Sequence, residues 1–354
     1  MVPVYLTQRY LRNKKIMSAN YFVPSDYHLK YLASLKPEMA YKKGEKVISW
    51  QRILRARLKK LLGDFPRKKV SLKPKILERK EFKNYFREKL VFTSEPFADV
   101  PAYLLIPKNI SLPAPAVVCL QGHSPGMYIS IGEAKNKHDR ESIAGDRDFA
   151  IQSVQQGYIA LAIEQRCFGE RKETKQKARA PHGCQDAAMH SLILGKTLIG
   201  ERVWDVVRGI DYLEKRKEVD QKRIACLGNS GGGTVTFFAA CADKRIKVAI
   251  PSCYYCDFSY SIMRIYHCTD NYIPGIMKLA EMGDLAGLIA PRALIIVAGE
   301  KDPIFPIAGV RKAFKQTKKI YKAFKVENRL HLLIGKGGHR FYQDLAWPVI
   351  KKHL

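Results

Sequence analysis

Residues 224–233 read IACLGNSGGG, an apolar run that ends abruptly in a glycine-rich turn around Ser230. An apolar helical pattern follows at 235–240, so the stretch predicts a strand, a tight turn and a helix. A serine at the tip of such a turn has a strained backbone, and its flanking glycines are needed because a Cβ there would collide with the strand and the helix. The turn also aims the amide of Gly231 and the positive end of the helix at the space above the hydroxyl. The pattern therefore predicts a nucleophilic serine with half of an oxyanion hole.

Two further candidates follow apolar strands later in the chain. Asp302 comes shortly after the run at 293–298, and His339 comes after the run at 332–334. Taken alone, each could be an ordinary turn carboxylate or loop histidine. The order Ser, Asp, His, each beyond a strand end, is instead the chain order of an α/β-hydrolase triad. We therefore predict Ser230 as nucleophile, His339 as general base and Asp302 as the group that orients the imidazole.

The remaining periodicity predicts the sheet around these residues. Antiparallel edge strands are expected at 76–82, 87–93 and 100–107, the last ended by proline. The run at 116–120 is apolar throughout, as in a parallel strand buried on both faces, and it leads to His123, whose backbone N–H is the expected second oxyanion donor. A helix near 146–156 and a strand at 158–163 complete a parallel crossover. The predicted fold is an α/β-hydrolase fold, a mostly parallel central sheet flanked by helices.

The domain organisation is predicted from shifts in these patterns. Residues 1–75 are expected to form an N-terminal helical extension, with an amphipathic helix at 47–63 that stops at a glycine. Residues 76–354 are expected to form the catalytic domain. Within it, 172–199 and 252–290 interrupt the strand and helix pattern, so both are expected to be cap or pocket insertions.

Six side chains near these insertions and strand ends are candidates for the pocket: Glu164, Arg166, Met189, Leu192, Tyr254 and Tyr255. Glu164 and Arg166 either brace the pocket or pair with nearby charges, and bracing is favoured. The tyrosines either line an acyl or sugar site or are core aromatics. On the helix predicted at 201–217, Asp205 and Arg208 are spaced to pair on the surface.

Cysteine and histidine spacing gives no complete metal motif. His182, Cys184 and His190 lack a fourth partner at ligand spacing. Cys253 and Cys256 form a CxxC pair without a second half, which is more typical of two incidental thiols than of a redox pair. The sequence therefore predicts no metal site and no organic cofactor.

Composition limits the cellular setting and the partners. Eight irregularly spaced cysteines, no 18-residue apolar run and a polar, basic N-terminus favour a cytoplasmic protein without a signal peptide or membrane anchor. The 62 Lys and Arg residues against 33 Asp and Glu give a net charge of +29. The bases are spread along the chain and match no nucleic-acid module, so a specific nucleic-acid partner is not expected, although the charge could favour acidic substrates.

The chain resembles the dienelactone hydrolase-like and acetyl xylan esterase-like branch of the α/β-hydrolases over residues 45–354. The resemblance is carried by Gln121-Gly122-His123, Arg147-Asp148-Phe149-Ala150, Gly157-Tyr158, Glu164 through Arg171, Trp204-Asp205, Arg208, Asp211-Tyr212-Leu213, Gly228 through Gly232, Asp302 and Gly338-His339. It implies a small-molecule or carbohydrate ester substrate with a short, acetyl-type acyl group. The triad alone also fits a peptidase or a thioesterase, and the charge fits a non-catalytic polyanion-binding protein on a hydrolase scaffold.

Overall fold

The computed structural model describes residues 22–173 and 183–354. The chain divides into two compact units, 1–35 and 36–354. In the first unit, the described residues contain helix α1, Pro24–Ser34. The rest of the predicted extension before residue 22, and residues 174–182 of the predicted insertion with its candidate ligand His182, lie outside the described residues.

The second unit contains the sheet. Its strands are β1 Lys75–Glu81, β2 Tyr85–Glu95, β3 Ala98–Pro107, β4 Ala114–Leu120, β5 Ile159–Ile163, β6 Val219–Asn229, β7 Ile246–Ser252, β8 Ala293–Gly299 and β9 Leu330–Gly335. Its α-helices are α2 Val47–Leu62, α3 Lys137–Ser142, α4 Phe149–Gln155, α5 Cys184–Ile193, α6 Leu198–Leu213, α7 Gly231–Ala242, α8 Ile276–Leu279, α9 Met282–Leu285, α10 Ile307–Ala323 and α11 Gln343–Ile350.

The nine strands form one sheet in the order β1-β2-β3-β5-β4-β6-β7-β8-β9. The first three strands and the β3–β5 contact are antiparallel, and every pairing from β5 to β9 is parallel. The crossover helices between parallel strands place their carboxyl ends at one edge of the sheet. The predicted fold, a mostly parallel sheet with flanking helices and an antiparallel edge, is confirmed.

Strand β4 shows why its sequence is apolar at every position. Val118 and Leu120 belong to one hydrophobic core cluster, which includes side chains of α2, α6, α7 and α10. Val117 and Cys119, which point the other way, belong to a second cluster with side chains of α4 and α11. Because successive side chains of a strand face opposite sides, both faces of the sheet are covered and no polar alternation is needed.

Helix α2 is present where the amphipathic pattern predicts it, and it is packed into the core of the second unit. Trp50, Leu54, Leu58 and Leu62, spaced four residues apart, all belong to the first core cluster. Arg55 lies on the buried side as well, and its guanidinium donates to the carbonyls of Cys241 (2.9 Å) and Leu288. These two hydrogen bonds compensate the buried guanidinium of Arg55, a residue that the hydrophobic pattern alone does not predict to be buried.

Among the described residues, no helix combines the length and the apolar character that crossing a bilayer requires.

Candidate functional site

The predicted triad residues follow the carboxyl ends of three parallel strands at one edge of the sheet. Ser230 follows β6, Asp302 follows β8 and His339 follows β9. The last residues of β8 and β9, Gly299 and Gly335, are aligned in the parallel register. Because the carboxyl ends of parallel strands share an edge, three loops far apart in sequence meet there.

The Ser230 turn has the strained geometry that its glycines indicate. Ser230 has φ 56° and ψ −123°, and α7 begins at the next residue. Its backbone N–H donates to the carbonyl of Ser252 in β7 at 2.9 Å. A Cβ built on Gly232 would lie 2.1 Å from the carbonyl oxygen of Leu120, and one on Gly228 would lie 2.4 Å from the carbonyl oxygen of Gly232. Only glycine therefore lets β4, β6 and α7 approach closely enough to hold the serine at the tip.

Asp302 and His339 are directly hydrogen-bonded. Nδ1 of His339 lies 2.8 Å from Oδ2 of Asp302, and the other carboxylate oxygen accepts the amides of Ile304 (2.9 Å) and Phe305 (3.2 Å). Burial by itself raises the pKa of the Asp302 carboxyl, but the hydrogen bond from His339, its charge and the two amides outweigh burial and lower that pKa. An ionised carboxylate only accepts, so Nδ1 carries the ring proton and Nε2 is left able to take one.

The loop after β4, which is the predicted oxyanion loop, lies against the serine turn. A Cβ built on Gly122 would lie 3.1 Å from the Cβ of Ser230, and one built on Gly231 would lie 3.8 Å from the backbone nitrogen of His123. These short separations show that the loop carrying His123 and the turn carrying Gly231, the two predicted donors, are packed against each other. The prediction that both amides donate to a developing oxyanion requires this proximity.

Ser230, Gly231, His123 and His339 all line one cavity of about 330 Å³. The other described residues that line it are Arg147, Cys184 and Gln185 at the start of α5, residues 266–269, Asn271, Ile304 and Phe305. Arg147 also donates to the backbone oxygen of His339 at 3.3 Å, and the ring of Phe305 is stacked on the imidazole. Burial lowers the pKa of His267 to about 4, so its ring is neutral near pH 7.

None of the six predicted pocket residues is part of that lining. Met189 and Leu192 lie on α5 and are 43% and 38% exposed, whereas the first turn of the same helix reaches the cavity. Tyr254 and Tyr255 are fully buried in the first core cluster. The 252–290 segment does line the cavity, but through residues 266–269 and Asn271.

Glu164 braces the oxyanion loop. Its Oε1 accepts from the side-chain amide of Gln121 at 2.7 Å and from the backbone N–H of Met127 at 3.0 Å, and its Oε2 accepts from the N–H of Glu170 at 3.3 Å. Burial raises the pKa of the Glu164 carboxyl to about 7, because the carboxylate is only 1% exposed and burial outweighs its amide donors. Its contacts thus tie the end of β5 to the loop that carries His123.

Arg166 belongs to a network of ion pairs. It contacts Glu95 at 2.6 Å, Glu201 at 3.1 Å and Asp205 at 3.0 Å. The predicted surface pair of Asp205 with Arg208 is wrong. Asp205 is buried and forms ion pairs with Arg166 and Arg171, which follow β5. Arg208 instead pairs with Asp211, three residues later in the chain. Helical spacing brought Asp205 and Arg208 within reach, but tertiary contacts supplied closer partners.

The cysteines are free thiols, and the Cys253 and Cys256 pair is not bridged. Two sets of described side chains could hold a metal ion with donor atoms within 4.8 Å of one another. One is Cys253 with Asp302 and His339, which overlaps the candidate triad. The other is His123, Cys184, Cys268 and Asp270, of which only Cys184 was considered as a ligand in the sequence. His190, which was considered beside Cys184 and rejected as a ligand, is exposed on α5.

Comparison with known proteins finds hydrolases among the proteins that this chain resembles. The chain is 27% identical over 289 residues to the "putative hydrolase YtaP" of Bacillus subtilis (strain 168), covering 80% of this chain and 92% of that protein. Among solved structures, a putative acetyl xylan esterase from Bacteroides fragilis NCTC 9343 is similar with a TM-score of 0.80 at 19% identity, over 95% of this chain and 96% of that one. A glucuronoyl esterase from Solibacter usitatus is similar with a TM-score of 0.63 at 16% identity, over 90% and 98% of the two chains.

The structural likenesses, at such low identity, show a shared fold. A model of the Abhydrolase family matches residues 8–323, most of the chain, so the predicted membership among the α/β-hydrolases and the prediction of a hydrolase enzyme are confirmed. The chain belongs to the Abhydrolase family.

Proposed function

We propose that the chain is a serine carboxylic ester hydrolase that cleaves short-acyl, acetyl-type esters, with esters of carbohydrates as the first candidates. The observation that carries the proposal is the hydrogen-bonded pair of Asp302 and His339 on the cavity that Ser230 also lines. A nucleophile, a base and an orienting carboxylate at one edge of the sheet support acyl transfer through a covalent intermediate.

The proposed reaction has two steps. Nε2 of His339 takes the proton of Ser230 as Oγ attacks the ester carbonyl, and the amides of His123 and Gly231 stabilise the oxyanion. The imidazolium then protonates the leaving alcohol, and an acyl-enzyme remains. Water, deprotonated by the same imidazole, hydrolyses this ester and returns the serine. Asp302 keeps the ring in the tautomer that both steps need.

The size and lining of the cavity support a small acyl group. Its volume of about 330 Å³ is at the lower end of the range for small-molecule sites, roughly 300 to 1,000 Å³. The structural neighbours are named as esterases acting on acetylated xylan or on glucuronoyl esters, which supports a carbohydrate ester as substrate. Arg147 lines the cavity and no carboxylate does among the described residues, which suits a neutral or acidic sugar better than a basic one.

The cytoplasmic location and the domain boundaries predicted from the sequence are part of the same proposal. Eight unpaired thiols support a reducing, cytoplasmic location. We keep residues 76–354 as the catalytic domain, with the segments 172–199 and 252–290 as insertions that wall the pocket. A specific nucleic-acid partner is not proposed.

Labelling with a fluorophosphonate, followed by a series of nitrophenyl esters from acetate to decanoate, tests the proposal. We expect the wild-type chain to be labelled once and to hydrolyse acetate fastest, and Ser230→Ala to lose both properties. Ser259→Ala, which removes a hydroxyl outside the cavity, is the matched control and should keep both. Labelling that persists in Ser230→Ala would refute the assignment.

A panel of thioesters and aminoacyl amides alongside the esters distinguishes the other enzyme classes. Faster turnover of amides or thioesters would move the proposal to a peptidase or a thioesterase. Absence of all turnover, together with salt-dependent binding to heparin, would favour the non-catalytic polyanion-binding protein.

A further inference from the structure

Four side chains with metal-binding donor atoms meet beside the candidate catalytic cavity, and three of them, His123, Cys184 and Cys268, also line it. His123 comes from the loop after β4, Cys184 is the first residue of α5, and Cys268 and Asp270 come from the segment after β7. One donor atom of each lies within 4.8 Å of those of the other three. We propose that His123, Cys184, Cys268 and Asp270 together bind one zinc ion.

The donor-atom separations are close to those of a tetrahedral zinc site. With Zn–N and Zn–O bonds of about 2.1 Å and Zn–S bonds of about 2.3 Å, tetrahedral ligand atoms lie about 3.4 Å apart for N and O and about 3.6 Å apart for S and O. Nε2 of His123 lies 3.0 Å from Oδ2 of Asp270, and Sγ of Cys184 lies 3.9 Å from the same oxygen. For these two pairs, movements of a few tenths of an ångström would give the separations of a tetrahedral zinc site.

The donor types also select the metal. Two sulfurs, one imidazole nitrogen and one carboxylate oxygen suit zinc, whereas magnesium and calcium prefer a shell made of oxygens. All four positions are filled by protein, which is typical of a structural zinc and leaves no open position for water or substrate. The ion would therefore hold the wall of the cavity and take no part in the acyl transfer.

The surroundings of the four residues resemble the supporting shell of a metal site. The guanidinium of Arg202, only 1% exposed, donates to Oδ2 of Asp270 and, at 3.3 Å, to the sulfur of Cys184. The side-chain amide of Asn271 donates to the other oxygen of Asp270 at 3.0 Å. Such bonds orient ligating groups in metal sites. Zinc with two thiolates and one carboxylate carries one net negative charge, which Arg202 neutralises in this buried setting.

Zinc at this position would join three elements that are distant in sequence. It would tie the oxyanion loop to α5 and to the segment after β7, which together supply most of the cavity wall. His123 would be fixed through its ring while its backbone N–H stays available to the cavity. The site would thus position the oxyanion loop.

The zinc content of the purified full-length chain tests the proposal without any activity measurement. The chain is loaded with zinc under reducing conditions, desalted and analysed by elemental mass spectrometry. We expect about one zinc per chain in the wild type and below about 0.1 in the double variant Cys184→Ala with Cys268→Ala. Cys167→Ala is the matched control, because Cys167 packs beside Cys184 but is not one of the four residues, and it should keep the zinc.

Cobalt substitution provides a second readout that does not depend on a variant folding. Wild-type chain loaded with Co²⁺ should show a thiolate-to-cobalt charge-transfer band and the visible bands of tetrahedral coordination. Less than about 0.1 zinc per chain in the wild type, or zinc retained by a folded double variant, would overturn the proposal. A disulfide between Cys184 and Cys268 in the unreduced chain, without zinc binding after reduction, would overturn it as well. Each outcome is independent of whether the chain hydrolyses esters.

Discussion

Replacing Asp302 with asparagine should separate the proposed catalytic role of this residue from its structural role. The carboxylate accepts three hydrogen bonds, one from the ring of His339 and two from the amides of Ile304 and Phe305. Asparagine keeps an oxygen for the two amides but places an NH₂ group against Nδ1. The ring must then present a lone pair at Nδ1 and carry its proton on Nε2, where it cannot accept the proton of Ser230.

The expected magnitudes follow from these contacts. Loss of the correct tautomer should lower kcat/KM by about 10⁴, which raises the barrier by about 5.4 kcal/mol. Loss of one hydrogen bond to a charged group, with the two amide bonds kept, should change the free energy of unfolding by about 1 to 3 kcal/mol. Activity should therefore fall far more than stability.

The assay is hydrolysis of nitrophenyl acetate beside urea unfolding of the same preparations. Asp257→Asn is the matched control, since Asp257 is also buried, accepts a backbone amide and pairs with Lys312 at 2.9 Å, but does not line the cavity. Its kcat/KM should stay within about threefold of the wild type, because no group of the cavity changes. The reasoning is refuted if Asp302→Asn keeps more than a tenth of the activity, or if both variants lose it equally.

Three further changes test the fold around the site. Gly232→Ala should lower the free energy of unfolding by about 3 kcal/mol or more, because the added Cβ would collide with the backbone of β4. The control Gly145→Ala places its Cβ in open space and should change the free energy of unfolding by less than about 1 kcal/mol. Equal effects of the two substitutions in urea unfolding would contradict the packing at the turn. Burial raises the pKa of Glu164 from 4.5 to about 7 in the folded state. Between these two pH values the folded protein keeps a proton on this carboxyl that the unfolded chain releases. The stability that the bound proton contributes is therefore lost as pH rises from about 4.5 to 7. Glu164→Gln should therefore remove about 2 to 3 kcal/mol of pH dependence in that window, and parallel stability curves for variant and wild type would show the carboxyl to be unshifted. Leu54→Ala should lower the free energy of unfolding by about 2 to 5 kcal/mol, since the Leu54 side chain is fully buried. Ile53→Ala, on the exposed side of α2, should lower it by less than about 1 kcal/mol. Comparable melting temperatures for the two variants would mean that α2 is not part of the core.

Only the tertiary structure shows which residues wall the cavity. Helix α5 was expected to present Met189 and Leu192, but its first turn, with Cys184, faces the cavity instead. The tyrosines after β7 are equally apolar whether they line a pocket or fill a core, and here they fill the core. Hydrophobicity measures the tendency to leave water, and it does not say which neighbouring surface a side chain will meet.

The fold class, the helix α2 and the order of the candidate catalytic residues could be predicted from the amino-acid sequence. These features are written in local patterns: the glycines that a strained Ser230 turn demands, the apolar strands that need cover on both faces, and the placement of Asp302 and His339 after such strands. What the tertiary structure alone decided are the contacts between distant segments. The 2.8 Å bond from His339 to Asp302, the arginine partners of Asp205, and the meeting of His123 with Asp270 and two cysteines join residues that no local spacing relates. Side chains at a shared sheet edge are brought together by the packing of whole strands and helices, so their final neighbours depend on the complete fold.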